Sequence, residues 1–113
     1  MALYMLQVAY TSGGIAALVA NPQDRSEAVR APIEKLGGKP QHFWFSFGEY
    51  DIVGIVEMSD NVSAAAFEIA AKAGGACKSV LITPLLSISE GLEALKKAGE
   101  CGYKAPAAAA GQA

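Results

Sequence analysis

Two periods of apolar and polar residues succeed one another along the chain, and the switches between them outline its elements. Tyr4-Met5-Leu6-Gln7-Val8-Ala9-Tyr10 is a short apolar run that stops at Thr11-Ser12-Gly13-Gly14 and reads as a strand. Ile15, Leu18 and Val19 then recur at helical spacing, with Thr11 or Ser12 available as a cap and Asn21-Pro22 as an interruption. Asp24 restarts a helix, with Glu27 as its capping-box partner and Val29, Ile33 and Leu36 on the inner face. Gly37-Gly38 supplies the stop. Pro32 lies inside this helix, removes one backbone bond and is expected to kink it near Ala28.

Residues 39–57 carry the clearest pattern. Gln41-His42-Phe43-Trp44-Phe45-Ser46-Phe47 alternates, and Tyr50-Asp51-Ile52-Val53-Gly54-Ile55-Val56 follows after Gly48-Glu49. A two-residue loop with Gly first is the sequence form of a type II′ hairpin. It sets Phe47 against Tyr50, Ser46 against Asp51, Trp44 against Val53 and His42 against Ile55. Phe43, Phe45, Phe47, Tyr50 and Ile52 then share one face, and His42, Trp44, Ser46, Asp51, Val53 and Ile55 the other.

Asp60 caps a further helix whose buried stripe is expected at Val62, Ala66, Ile69, Ala70 and Ala73, with Gly74-Gly75 as its end. Cys77-Lys78-Ser79-Val80-Leu81-Ile82-Thr83 reads as the fourth strand, and Ser87-x-x-Glu90 opens a last helix to about Ala98. The order strand, helix, strand, strand, helix, strand defines an α+β ferredoxin-like fold. It comprises a four-stranded antiparallel sheet, two crossover helices on one face and an added C-terminal helix. Trp44, Val53 and Ile55 fall on the other face, where each large side chain left in water forgoes about 1.5–3 kcal/mol of burial. A second copy packing sheet to sheet is the simplest cover.

Composition narrows the function without naming it. The 113 residues suit one domain, with a folded unit expected over 1–103 and a flexible tail over 104–113. Hydrophobic residues make up 52% and charged residues only 18%, which favours self-association. The net charge of -2 offers no basic field for nucleic acid. No apolar run reaches the roughly 20 residues of a membrane span, and MALYMLQVAY lacks the basic region and cleavage site of a signal peptide. A cytoplasmic protein without nucleic-acid or membrane partners is the expectation. Cys77 and Cys101 with the single His42 have no metal-ligand spacing, and the glycine pairs form no phosphate fingerprint, so neither metal nor cofactor is expected.

The chain is similar to the GYD domain family over about residues 4–103. Four stretches carry the resemblance: Tyr10-Thr11-x-Gly13-Gly14-Ile15, Arg25-x-Glu27-Ala28 into Leu36-Gly37-Gly38, Phe47-Gly48-Glu49-Tyr50-Asp51-Ile52-Val53, and Thr83-Pro84-Leu85-Leu86 into Glu90. Gly48-Glu49-Tyr50-Asp51 is the most specific. The resemblance implies a dimeric α+β barrel in which two ferredoxin-like sheets face each other, and it implies no particular activity. Pro32 departs from the ordinary helix former that members carry at that place.

The candidate site residues follow from the faces. His42 and Asp51 are the candidates for moving protons, His42 because imidazole titrates near neutral pH and Asp51 because an interface would partly desolvate it. Gln7, Trp44, Ser46 and Tyr50 are the candidate ligand contacts. Each has a plainer role available. Asp51 can cap loop amides or bond Ser46, Tyr50 can pack beside Phe47, Trp44 can fill an interface, and Gln7 can sit at a subunit boundary. His42 lies four residues from Ser46, about 13 Å along the strand, so it cannot touch Asp51 directly within one chain. Three functions remain open: a small-molecule-binding protein with its pocket between sheet and helices, at the open sheet face or at a dimer interface; a cofactor-independent monooxygenase- or isomerase-like enzyme; and an assembly protein.

Overall fold

β1 (Ala2–Tyr10) runs through the middle of a four-stranded antiparallel sheet in the computed structural model, which describes residues 1–107. β3 (Ile52–Met58) flanks it on one side and β4 (Cys77–Pro84) on the other, and β2 (Lys39–Phe45) completes the order β2-β3-β1-β4. Two helices, α1 (Ser12–Ala20) and α2 (Arg25–Lys35), occupy the first crossover. α3 (Asn61–Ala73) occupies the second, and α4 (Ile88–Glu100) follows the sheet. This is the α+β plait the pattern predicts, with the first crossover divided at Asn21-Pro22. α2 runs on through Pro32 to Lys35 as one helix. The expected tail over 104–113 lies mostly outside the described residues.

The hairpin register is the expected one. His42 faces Ile55, Trp44 faces Val53 and Phe45 faces Ile52, and the Ser46 amide donates to the Asp51 carbonyl at 2.9 Å. Gly48 takes a φ of 115°, a conformation that side chains disfavour. Phe47 extends wholly into solvent rather than packing against Tyr50.

The core forms where one face of the sheet meets α2 and α3. Tyr4, Leu6 and Val8 of β1, Val56 and Met58 of β3 and Val80 of β4 pack with Ile33, Ala64 and Phe67. Ile33 is the buried residue of α2, with Val29 and Leu36 partly covered beside it. The α3 stripe differs from the expectation. Ala64, Phe67 and Ala71 face the sheet, while Val62 and Ile69 are exposed. Val62 and Ile69 each precede a sheet-facing position by two residues, about 200° around the helix. Phe67 has the largest apolar surface on α3, and burying it sets the rotation.

Every helix start has a side-chain cap. Thr11, Asp24, Asp60 and Ser87 accept from the amides of Gly14, Ser26, Ser63 and Glu90. Glu90 returns the bond to the Ser87 amide at 2.8 Å, completing a capping box. α4 nonetheless stands away from the other elements, with Ile88, Leu92 and Leu95 exposed along one stripe. The radius of gyration is 18.3 Å, against about 13 Å for a compact chain of this length.

Two predictions follow from these contacts. A Cβ on Gly54 would lie 2.5 Å from the Phe43 ring and 3.0 Å from the His42 carbonyl oxygen. Gly54→Ala should therefore cost about 1–3 kcal/mol in urea unfolding, and adding Phe43→Leu should recover part of it. The second concerns acid. The Ser26 hydroxyl at Asp24, the Ser63 amide at Asp60 and the Ser87 amide at Glu90 hold these three carboxyls below their ordinary range. A carboxyl depressed in the folded state stabilises it above the unfolded value and loses that contribution as pH falls through the folded one. Unfolding midpoints should fall below about pH 4, where unfolded carboxyls take up protons. Asp60→Asn keeps a good cap without the titrating group and should show a shallower acid limb.

Candidate functional site

Alternation along β1 sends its residues to two different surfaces. Gln7 lies on the open face, in a lateral row with Leu81 of β4, Val53 of β3 and Trp44 of β2. His42 lies one row further along and stacks on Trp44, with ring centroids 5.6 Å apart and planes 21° from parallel. Gln7, His42 and Trp44 thus share the open face. Trp44 is 54% exposed, and Leu3 and Leu81 are exposed with it.

Ser46, Tyr50 and Asp51 belong to a different place, the closed end of the β2–β3 hairpin. The Ser46 hydroxyl donates to the Tyr50 carbonyl at 2.6 Å. The Asp51 amide donates to the Val8 carbonyl at 2.7 Å, and its carboxylate accepts from the Tyr10 amide at 2.9 Å. Asp51 thereby ties the hairpin to the end of β1, where the pairing with β4 shifts register between Ala9 and Tyr10. Partial burial, and after it the Glu49 carboxylate, push the Tyr50 phenol up. The structure gathers the six candidates into two groups of three and does not bring His42 to Asp51.

The face covered by helices holds a feature the pattern does not announce. A half-open cavity of about 580 Å³ separates the sheet from α1, α2 and α3. Leu6, Val8, Phe43 and Ile52 form its floor, and Leu18, Val29 and Phe67 line its helical side. Trp44, between Phe43 and Phe45 on β2, is the one candidate that also borders this space. The missing side chain at Gly54 lets the Phe43 ring approach β3 closely.

Polar groups gather where β1 ends and β4 begins. Tyr10 and Cys77 are register partners there, and Arg25, the first residue of α2, approaches both. Burial pushes the Tyr10 phenol up and the nearby guanidinium opposes it. Burial likewise pushes the Cys77 thiol up against the pull of Arg25, so both remain protonated and neutral near pH 7. Arg25 Nη1 donates to Gln23 Oε1 at 3.0 Å, which holds the guanidinium from the side. Neither Tyr10 nor Arg25 is among the six candidates that strand alternation marks out. Two signals point to them: Tyr10 follows Tyr4, Leu6 and Val8 on the core side of β1, and Arg25 puts a cation in the first turn of a helix, where the dipole disfavours it.

The sequence model of the GYD domain matches residues 4–95, which take in β1 from Tyr4 onward, β2 to β4 and α1 to α3. The chain belongs to the GYD domain family. In this GYD domain the Gly48-Glu49-Tyr50-Asp51 segment closes the hairpin, and its carboxylate fastens that hairpin to β1. No curated protein and no solved structure matches the chain.

Asp51→Ala leaves the Tyr10 amide without its partner and should cost about 1–2 kcal/mol in denaturant unfolding. Asp51→Asn keeps an acceptor oxygen and should cost distinctly less. Equal losses would mean that charge, not the hydrogen bond, is what Asp51 supplies.

Proposed function

We propose that this GYD domain binds a small, largely apolar molecule in the cavity between sheet and helices, and that it works as a homo-oligomer. The cavity carries the reading. Its volume of about 580 Å³ falls within the roughly 300–1,000 Å³ of ordinary ligand pockets. Folded interiors are otherwise packed to the density of organic crystals, so an apolar space of this size is a costly thing to leave unfilled. Aromatic and aliphatic walls with a few polar groups at one end match the usual make-up of a small-molecule site.

The oligomer rests on the open face. Trp44, Leu3 and Leu81 are exposed there, with Met5, Val53 and Ile55 partly covered between them. A second copy laid sheet to sheet would remove this apolar surface from water, and the stripe on α4 offers a further apolar contact.

Nile red, a neutral dye that brightens in apolar surroundings, tests the pocket. The native protein should take it up, and Val29→Trp, which places an indole in the cavity, should reduce uptake several-fold with little change in the thermal midpoint. A retained small molecule in a native mass spectrum would support the same reading. Uptake unaffected by Val29→Trp would move binding elsewhere. Light scattering tests the assembly: micromolar protein should be at least dimeric, and Trp44→Asp should shift it toward monomer or leave it insoluble. A wild-type monomer under those conditions would remove the assembly half of the proposal.

A further inference from the structure

We propose that the cavity selects a monoanionic amphipathic acid, an apolar body carrying one carboxylate or similar acidic group held by Arg25 and the Tyr10 hydroxyl. This rests on the cavity being a ligand site, and it adds the chemistry of the ligand's head.

Arg25 is the only basic side chain lining the cavity among the described residues. It is partly buried, and no carboxylate there pairs with it: the ion pairs of the described residues are Arg30 with Glu27 and Lys72 with Glu68. A guanidinium has five N–H donors, and the Gln23 side chain takes one of them. A cation at the edge of an apolar space is costly unless something pairs with it, and a ligand carboxylate can do so through two parallel bonds. The one carboxylate lining this space among the described residues, Asp24, is exposed and committed to the Ser26 amide at 2.9 Å as the cap of α2.

The companions of Arg25 suit the same head group. Tyr10 and Cys77 face each other across β1 and β4 beside it. The Tyr10 phenol is protonated at neutral pH, as phenols ordinarily are, and can act as a donor. Its hydroxyl can add a hydrogen bond to an oxygen already facing the guanidinium.

The same geometry argues for one negative charge rather than two. A single guanidinium balances a single carboxylate. The Asp24 carboxylate already takes the Ser26 amide at the start of α2 and sets a negative charge there, which disfavours a second charge on the ligand. Tyr10, Phe43 and Phe67 along the cavity favour a flat ring system as the body.

The probes are 2-naphthoate and 2-naphthamide, nearly equal in shape and different in charge, titrated calorimetrically into the full chain. The wild type should bind the naphthoate about tenfold or more tightly, the discrimination expected of a charge-assisted pair in a partly dry site. Arg25→Gln should bring the ratio near one, Arg25→Lys should keep part of it, and Tyr10→Phe should lower it a few-fold. Arg30→Gln, on the same helix but outside the cavity, should keep it whole. Thermal midpoints report whether each variant folds, and the wild-type ratio needs no variant at all. Equal binding of the two probes by a wild type that takes up Nile red would overturn the acid proposal and leave the cavity reading standing. A preference that survives Arg25→Gln would overturn the assignment to Arg25. Failure of the wild type to take up either naphthalene or Nile red would overturn the cavity reading, and the acid proposal with it.

Discussion

β1 is hydrogen-bonded on both sides, and that double pairing sets the parity on which the rest of the molecule depends. With β3 and β4 both in register against it, no residue of β1 can slip by one without reversing every side chain on the strand. Tyr4, Leu6 and Val8 are thereby held toward the helices, and Gln7 away from them. Tyr10 continues the inward set to the point where β4 begins, so a phenol arrives at the edge of an otherwise apolar space. Asp51 fastens this same end, because its carboxylate takes the Tyr10 amide, which lies just past the last residue of β1 that pairs with β3. The family segment and the cavity are therefore joined through a single backbone group.

The plait and the hairpin register were legible because both rest on local rules. Gly48-Glu49 fixes which residues of β2 and β3 meet, and the alternation of Phe43, Trp44 and Phe45 follows. Capping residues announced the helix starts for the same reason, as each acts within three positions of its own. The rotation of α3 was not legible. Both its faces are rich in apolar residues, and only the fit of Phe67 against the sheet decides between them.

The site was less readable than the fold because pockets are made by distance between elements. Alternation placed His42, Trp44 and Gln7 on one face, and the sheet brings them there. It also placed Asp51 with them, but a hairpin end bends away from the ideal pleat, and the carboxylate found an amide of a neighbouring strand. Arg25 and Tyr10 are fifteen positions apart and meet only once α2 has folded back over the sheet. Such a meeting leaves a weak trace, a cation where the helix dipole opposes it and a hydroxyl in an apolar row.

The outlying position of α4 has a consequence for anyone weighing this protein in solution. The described residues span 57 Å along the longest axis and 22 Å along the shortest. An elongated particle meets more friction than a sphere of equal mass, so it diffuses and elutes as though it were heavier. A single copy with its last helix extended would travel through a gel-filtration column like a larger, rounder molecule. A pair that folded those helices against one another would gain mass while losing asymmetry. Retention volume alone would then separate the two states poorly, and a mass measured independently of shape is what tells them apart.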